Sequence, residues 1–216
     1  MTLPREEPGV GSWRVEPIDA VIRLVAAHPG QPSRPRVVAV DGRSASGKTT
    51  VAGRVAALVR RSVVLHTDDV AWHHSFFDWA DLLRVGVLEP ARQGRRVRYR
   101  PPAWDERGRP GSIDVPSGCP LVLVEGVGIA RRDLRDLVDA VIWVQCDIEL
   151  AERRGIDRDG GDSQAADLWA EWAAEERPFL ADERPWERAD VIVAGSPVLP
   201  HDPDTELVVA TGPLLP

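Results

Sequence analysis

The chain has 216 residues, 43% of them hydrophobic and 28% charged, with a formal net charge of −7. That length suits one α/β domain with a substantial core and a small lid. The acidic balance argues against a nucleic-acid partner, and no apolar run reaches the roughly 18 residues of a membrane span.

The opening stretch MTLPREEPGVGSW lacks the basic-then-apolar order of a signal peptide, so a cytoplasmic protein is expected. Cys119 and Cys146 lie far apart and match no metal or redox spacing, which predicts two buried thiols.

Residues 1–15 read as a loose arm without a period. Ile18, Val21, Ile22 and Val25 predict a helix over 16–28, and PGQPSRP then breaks the chain. Residues 37–40 read as a strand buried on both faces. A helix follows over 48–60, then a short strand over 62–66. The stretch FFDWADLLRVGVLEPARQG predicts a helix ending near Gly94, and the Pro- and Gly-rich segment after it a short hairpin or an ordered loop. Strands are expected at 120–124, 140–145 and 191–194, and helices at 131–137, 148–158 and 164–184. One more apolar run, 207–209, lies in the tail.

Strands alternating with helices predict a parallel sheet covered on both faces. The expected organisation is an N-terminal arm and helix over 1–34, a core domain over 35–200 with a lid at about 151–165, and a tail over 201–216.

Lysine occurs once, at position 48, in a chain with abundant arginine and no asparagine. It falls in Gly42-Arg-Ser44-Ala45-Ser46-Gly47-Lys48-Thr49, which matches G-x-x-x-x-G-K-[ST], and Thr50 follows. A buried strand precedes the motif and a helix follows it. Glycines let the backbone wrap a polyphosphate with its N–H groups turned inward, and the helix adds its positive end. Lys48 suits the β- and γ-phosphates as a compact charge, and the Thr49 hydroxyl suits Mg²⁺. The alternative is a Gly- and Ser-rich turn that happens to hold a lysine.

The strand over 62–66 runs into Asp68 and Asp69, and the strand over 120–124 into Glu125. Ligands of open parallel sheets sit at the carboxyl ends of the strands, which brings these acids to the phosphates. There an acid can hold Mg²⁺ or accept a hydroxyl proton. Otherwise Asp68 and Asp69 are a helix cap pair, and Glu125 an exposed acid after a strand.

The order GRSASGKTT, strand-TDD, YR…W, LVLVEGVG, ERRGIDRD, RADVIV resembles the uridine kinase-like branch of P-loop kinases, which is similar to phosphoribulokinase and bacterial pantothenate kinase. The resemblance covers about residues 35–195. It implies a P-loop NTPase fold, a three-layer α/β/α sandwich with a five-stranded, mainly parallel sheet and a small helical lid.

It also implies an ATP- and Mg²⁺-dependent transfer of a γ-phosphate to a hydroxyl of a nucleoside or nucleoside-like metabolite. Asp68 would be the base and touch the metal, Glu125 would be a metal ligand, and lid arginines Arg153, Arg154 and Arg158 would close on the phosphates. Read without the resemblance, those arginines form a solvated helix face paired with Glu149 and Glu152.

The insertions between the acid-bearing strands offer Asp69, Trp72, His73, Tyr99, Arg100 and Trp104 as acceptor contacts, with core packing as the alternative for the tryptophans. The adenine side is expected near 193–197. Arg92, Arg95, Arg96, Arg98 and Arg100 read as a solvated cluster or as a grip on a phosphate already on the acceptor.

A sugar phosphate, nucleotide or vitamin is the alternative acceptor class, and a regulatory nucleotide-binding protein without turnover the alternative role. A guanine-specific switch is excluded, because its N-K-x-D element needs an asparagine and a second lysine. A homodimer is compatible with the sequence.

Overall fold

Val37, Val38, Ala39 and Val40 have no solvent exposure. They lie in β2 (Arg36–Gly42), and their alternating side chains serve two apolar layers. Val37 and Ala39 join Val122, Val124, Trp79, Leu83 and Leu88 on one face. Val38 and Val40 join Leu123, Ile142, Val51, Val55 and Ile18 on the other. Both faces are therefore covered, as the unbroken apolar run predicts. Each fully buried valine of this kind contributes about 1.5–3 kcal/mol relative to exposure.

The structure, a computed structural model, describes residues 1–25, 34–197 and 199–214, with side chains of 211–214 left aside. Residues 26–28, the end of the expected first helix, lie outside the described residues. The strands are β1 (Val10–Pro17), β2, β3 (Val63–His66), β4 (Val97–Tyr99), β5 (Ile113–Val115), β6 (Leu121–Glu125), β7 (Ala140–Gln145), β8 (Val191–Ala194) and β9 (Glu206–Leu214). Seven form one sheet in the order β1-β9-β8-β7-β2-β6-β3. Strands β3, β6, β2, β7 and β8 run parallel.

The helices are α1 (Ile18–Val25), α2 (Lys48–Leu58), α3 (Thr67–Ala71), α4 (Ala80–Leu83), α5 (Glu89–Arg92), α6 (Pro102–Glu106), α7 (Ile148–Arg158) and α8 (Ser163–Glu183). A π-helical turn, Arg84–Leu88, joins α4 to α5, so the helix expected to end near Gly94 is one segmented run. The expected hairpin is β4 paired with β5, antiparallel.

Two expectations need correction. Among the described residues the sheet has seven strands rather than five, because β9 pairs antiparallel with both β8 and β1. The segment read as a loose arm therefore supplies edge strand β1, and the tail supplies β9. Val10–Pro17 is mostly half-exposed or exposed, which hides its strand character from a hydropathy pattern. The P-loop three-layer sandwich itself is what the structure has.

Candidate active site

Strand β2 ends in the phosphate loop because two of its glycines admit no substitute. A Cβ on Gly42 would lie 2.6 Å from Val144 O and 2.7 Å from Ser46 Oγ. Gly47 has φ +102°, in the left-handed region that favours glycine. Gly47 caps α2 without a side chain, which leaves the first-turn amides of the helix facing the loop. The Lys48 ammonium is nearly buried and donates to Arg43 O at 2.7 Å. Ser44 N donates to Glu176 Oε1 at 2.6 Å, tying α8 to the loop.

Asp41, just before the loop, is wholly buried. It accepts from Gly42 N at 2.7 Å, Gly128 N at 2.9 Å and Ala130 N at 2.8 Å. Burial pushes its carboxyl up to about 6, against the lowering pull of those three amides and of Lys48. Asp41 thus joins the loop to the segment after β6. Sequence reasoning did not single it out, since a lone acid ending a buried strand carries no motif.

The acids at the strand ends reach the same cavity, a space of about 710 Å³. Glu125, ending β6, is buried and accepts from Thr49 Oγ1 at 3.0 Å. Its Oε1 also meets His66 Nδ1 at 2.5 Å. Asp68 lines the cavity beside Lys48, Thr49 and Arg158. It is open to the solvent inside the cavity but surrounded by the cavity walls. That partial desolvation raises its pKa, with Glu125 adding and Lys48, Arg158 and His66 opposing.

Asp69 points elsewhere. It forms an ion pair with Arg109 at 2.5 Å, and its backbone oxygen accepts from Trp104 Nε1 at 2.8 Å.

Two of the three expected lid arginines reach the cavity. Asp147 caps α7 by accepting from Leu150 N at 3.0 Å, and Asp162 caps α8 by accepting from Ala165 N at 2.9 Å. Arg154 lines the cavity and donates to Gly195 O at 2.9 Å. Arg158 lines it too, held by both carboxylate oxygens of Asp159. Arg153 is exposed and does not border it. The segment expected on the adenine side contributes Ala194, Gly195 and Pro197 to the cavity wall, beside Arg54 and His201.

The acceptor contacts expected from the insertions are not in this cavity. Trp104 is buried, and Arg109 lies over its ring at 3.8 Å and over that of Trp72 at 5.1 Å. Trp72 in turn meets His73 edge-on at 4.4 Å. Arg100 donates to Asp105 and to the carbonyls of Arg109 and Gly111. Tyr99 packs over Gly86. Arg109, Trp72 and Trp104 thus form a cation–π cluster outside the cavity.

The aromatic wall of the cavity comes instead from Phe76, Trp169 and Trp172. Helix α8 supplies the two tryptophans, which by spacing alone look like core residues. Only the fold shows that α8 crosses the loop.

The arginine cluster also stays away from the cavity. Arg92 pairs with Asp139 at 3.0 Å, and Arg95, Arg96 and Arg98 are exposed. Both cysteines are buried and free, and among the described residues no helix is long and apolar enough to cross a membrane.

The Thr49 hydroxyl and the Glu125 and Asp68 carboxylates are hard oxygen donors suited to Mg²⁺. Among the described residues no three His, Cys, Asp or Glu side chains form a metal cage.

No family model matches the sequence. The chain is 29% identical over 147 residues to uridine-cytidine kinase A of Dictyostelium discoideum, covering 60% of this chain and 29% of that protein. It therefore spans less than a third of that relative's length. Its fold is similar to a possible uridine kinase from Bacillus stearothermophilus, with TM-score 0.52 and 19% identity over 81% of this chain and 96% of that one. It is also similar to phosphoribulokinase from Rhodobacter spheroides, with TM-score 0.52 and 16% identity over 83% and 80% of the two chains. In sequence the chain is similar to a uridine-cytidine kinase, and in fold to a possible uridine kinase and a phosphoribulokinase.

Proposed function

We propose that the protein transfers the γ-phosphate of ATP to a hydroxyl of a small molecule, with a nucleoside or nucleoside-like acceptor as the leading choice. One observation carries the reading: Lys48 and Thr49 of the phosphate loop share a single cavity with Asp68 and Glu125. Phosphoryl transfer needs positioning and charge neutralisation more than covalent chemistry, and these residues offer both.

Lys48 and the loop amides bind the triphosphate. Arg154 and Arg158 stand where lid closure brings positive charge to the transferring group. Asp68 orients the acceptor hydroxyl and takes its proton as the new O–P bond forms, and the bond to the β-phosphate oxygen breaks to release ADP. Mg²⁺, held by Thr49 with Glu125 and Asp68, would neutralise phosphate charge when bound.

Phe76 and Trp172 favour an acceptor with a flat or apolar body, in line with a nucleoside base. The relative named for uridine and cytidine supports the same class. The arginines at 92–100 lie off the cavity, which removes the main argument for an acceptor that already carries phosphate.

Incubation with Mg-ATP and a panel of nucleosides, sugars, sugar phosphates and vitamins tests the proposal by mass spectrometry. A gain of one phosphoryl group on a nucleoside is expected. ATP binding with no phosphorylated product from any panel member would leave a nucleotide-binding protein without turnover.

A further inference from the structure

Residues 2–8 touch the lid helix and the phosphate loop together. Thr2 N donates to Asp147 Oδ2 at 2.7 Å, and Thr2 O accepts from Ile148 N at 3.0 Å, both at the start of α7. A few residues on, the Glu7 carboxylate is 4% exposed. Its Oε2 accepts from Arg43 Nε at 3.0 Å and pairs with Arg43 Nη2 at 2.9 Å. Its Oε1 accepts from Trp143 Nε1 at 2.8 Å and Gln145 Nε2 at 3.1 Å. The Pro8 carbonyl takes a second bond from Gln145 Nε2, at 3.0 Å.

This arrangement does more than fill space. Arg43 occupies a position that the loop motif leaves free, yet it is as buried as Glu7. Two buried charges persist only when paired and fully hydrogen-bonded, and here both oxygens of Glu7 are satisfied. One oxygen is fixed to β7 at the centre of the sheet, through Trp143 and Gln145. The other, Oε2, receives both Nε and Nη2 of Arg43, two charge-assisted contacts that hold the guanidinium in place. The Arg43 carbonyl, on the same residue, receives the Lys48 ammonium at 2.7 Å. A rigid strand is thereby linked through Glu7 and Arg43 to the lysine of the loop.

We infer that Glu7 is a positioning residue for triphosphate binding: it holds Arg43 against β7 and so sets the shape of the phosphate loop around Lys48. The inference rests on the reading of this loop as an ATP site. It does not require that the phosphoryl group is transferred, because its readout is binding.

The test is calorimetric titration of Mg-ATP into the full chain and its Glu7→Gln variant, with thermal melting of each in the absence of nucleotide. Glu7→Gln leaves the buried Arg43 charge without its partner, so it should melt lower than wild type. At a temperature where it is fully folded, its Kd for Mg-ATP should weaken about tenfold, the effect of about 1.4 kcal/mol. In the transfer assay KM for ATP should rise and KM for the acceptor should stay. A folded Glu7→Gln variant with wild-type ATP affinity overturns the inference.

If Glu7→Gln does not fold, the double variant Glu7→Gln/Arg43→Gln removes both charges and restores a neutral hydrogen bond. It too should bind Mg-ATP more weakly, and wild-type affinity in it overturns the inference equally. A wild-type chain that binds ATP but phosphorylates nothing defeats the kinase reading alone, and the Glu7 affinities still decide the inference.

Discussion

Thr49 Oγ1 donates to Glu125 Oε1 at 3.0 Å, so a residue of the phosphate loop and a residue 76 positions later meet directly. The contact is possible because β2 and β6 are parallel neighbours, with Val40 beside Glu125 in the ladder. It joins the two oxygen donors best placed for a divalent cation. Glu125→Gln keeps the side-chain shape and removes the charge. We expect kcat to fall by about 100-fold or more, the scale of losing one oriented charged group in a reacting site. The Mg²⁺ concentration needed for half-maximal rate should rise as well. Magnesium titrations of the initial rate check this, and an unchanged magnesium requirement would count against Glu125 as a ligand.

Lys48→Ala removes the only lysine of the chain. The Arg43 carbonyl loses its partner at 2.7 Å, at a cost of about 1 kcal/mol in stability. The fold should survive, as circular dichroism and melting will show. Phosphoryl transfer should disappear and Mg-ATP affinity drop steeply. Normal turnover in this variant would remove Lys48 from the phosphate site.

Asp68 and Asp69 are chain neighbours with different surroundings. Asp68 faces the cavity, whereas Asp69 pairs with Arg109 in the cluster of Trp72 and Trp104. Asp68→Asn should lower kcat strongly with less effect on ATP affinity. Asp69→Asn should loosen the hairpin and lower the melting temperature, with a smaller kinetic effect. The raised pKa of Asp68 adds a pH signature, because the ionised base is lost as pH falls through a value above that of an ordinary aspartate. The acid limb of kcat/KM for the acceptor, which reports the protein before that substrate binds, should therefore lie at higher pH than an unperturbed aspartate gives, and Asp68→Asn should abolish that limb. The opposite pattern, with Asp69→Asn the inactive variant, would reverse the assignment.

The parallel strands and the phosphate loop were legible because their residues act through local pattern. Residues 37–40 are apolar without a break, and the motif fixes four positions in eight. Strands β1 and β9 were not legible. Their pairing joins Trp13 to Ala210 and Pro17 to Glu206, partners nearly 200 positions apart, and β1 shows solvent much of its length. The aromatic wall of the cavity escaped for a related reason. Trp169 and Trp172 look like core residues by spacing, and Trp169 does pack on Gly155 of α7. Which residues face the loop depends on how α8 crosses it, a tertiary fact. Trp72 and Trp104 sit near the acids in sequence, but their rings stack with Arg109 away from the cavity.

A final prediction concerns acid stability. Asp139 closes the junction before β7: Arg34 reaches its two oxygens at 2.9 Å each, Arg92 donates at 3.0 Å, and Val37 N donates at 2.9 Å. Burial alone would raise its pKa, but the bonds from Arg34, Val37 and Arg92 outweigh it and hold the carboxyl at about 2. A depressed carboxyl stabilises the fold above its unfolded pKa, and that contribution is lost as pH falls toward the folded value. The difference from the ordinary 3.8 corresponds to about 2 kcal/mol at neutral pH.

Asp41 works in the opposite sense. Its raised pKa of about 6 makes stability fall as pH rises from about 4 toward 6. A wild-type curve of stability against pH mixes the two slopes, so the informative quantity is the difference between wild type and Asp139→Asn. Urea melts between pH 7 and pH 2 should show that difference largest near neutrality and shrinking below about pH 4, as wild-type Asp139 takes up its proton. A difference that stays constant to pH 2 would mean that the charge on Asp139 contributes nothing beyond its shape.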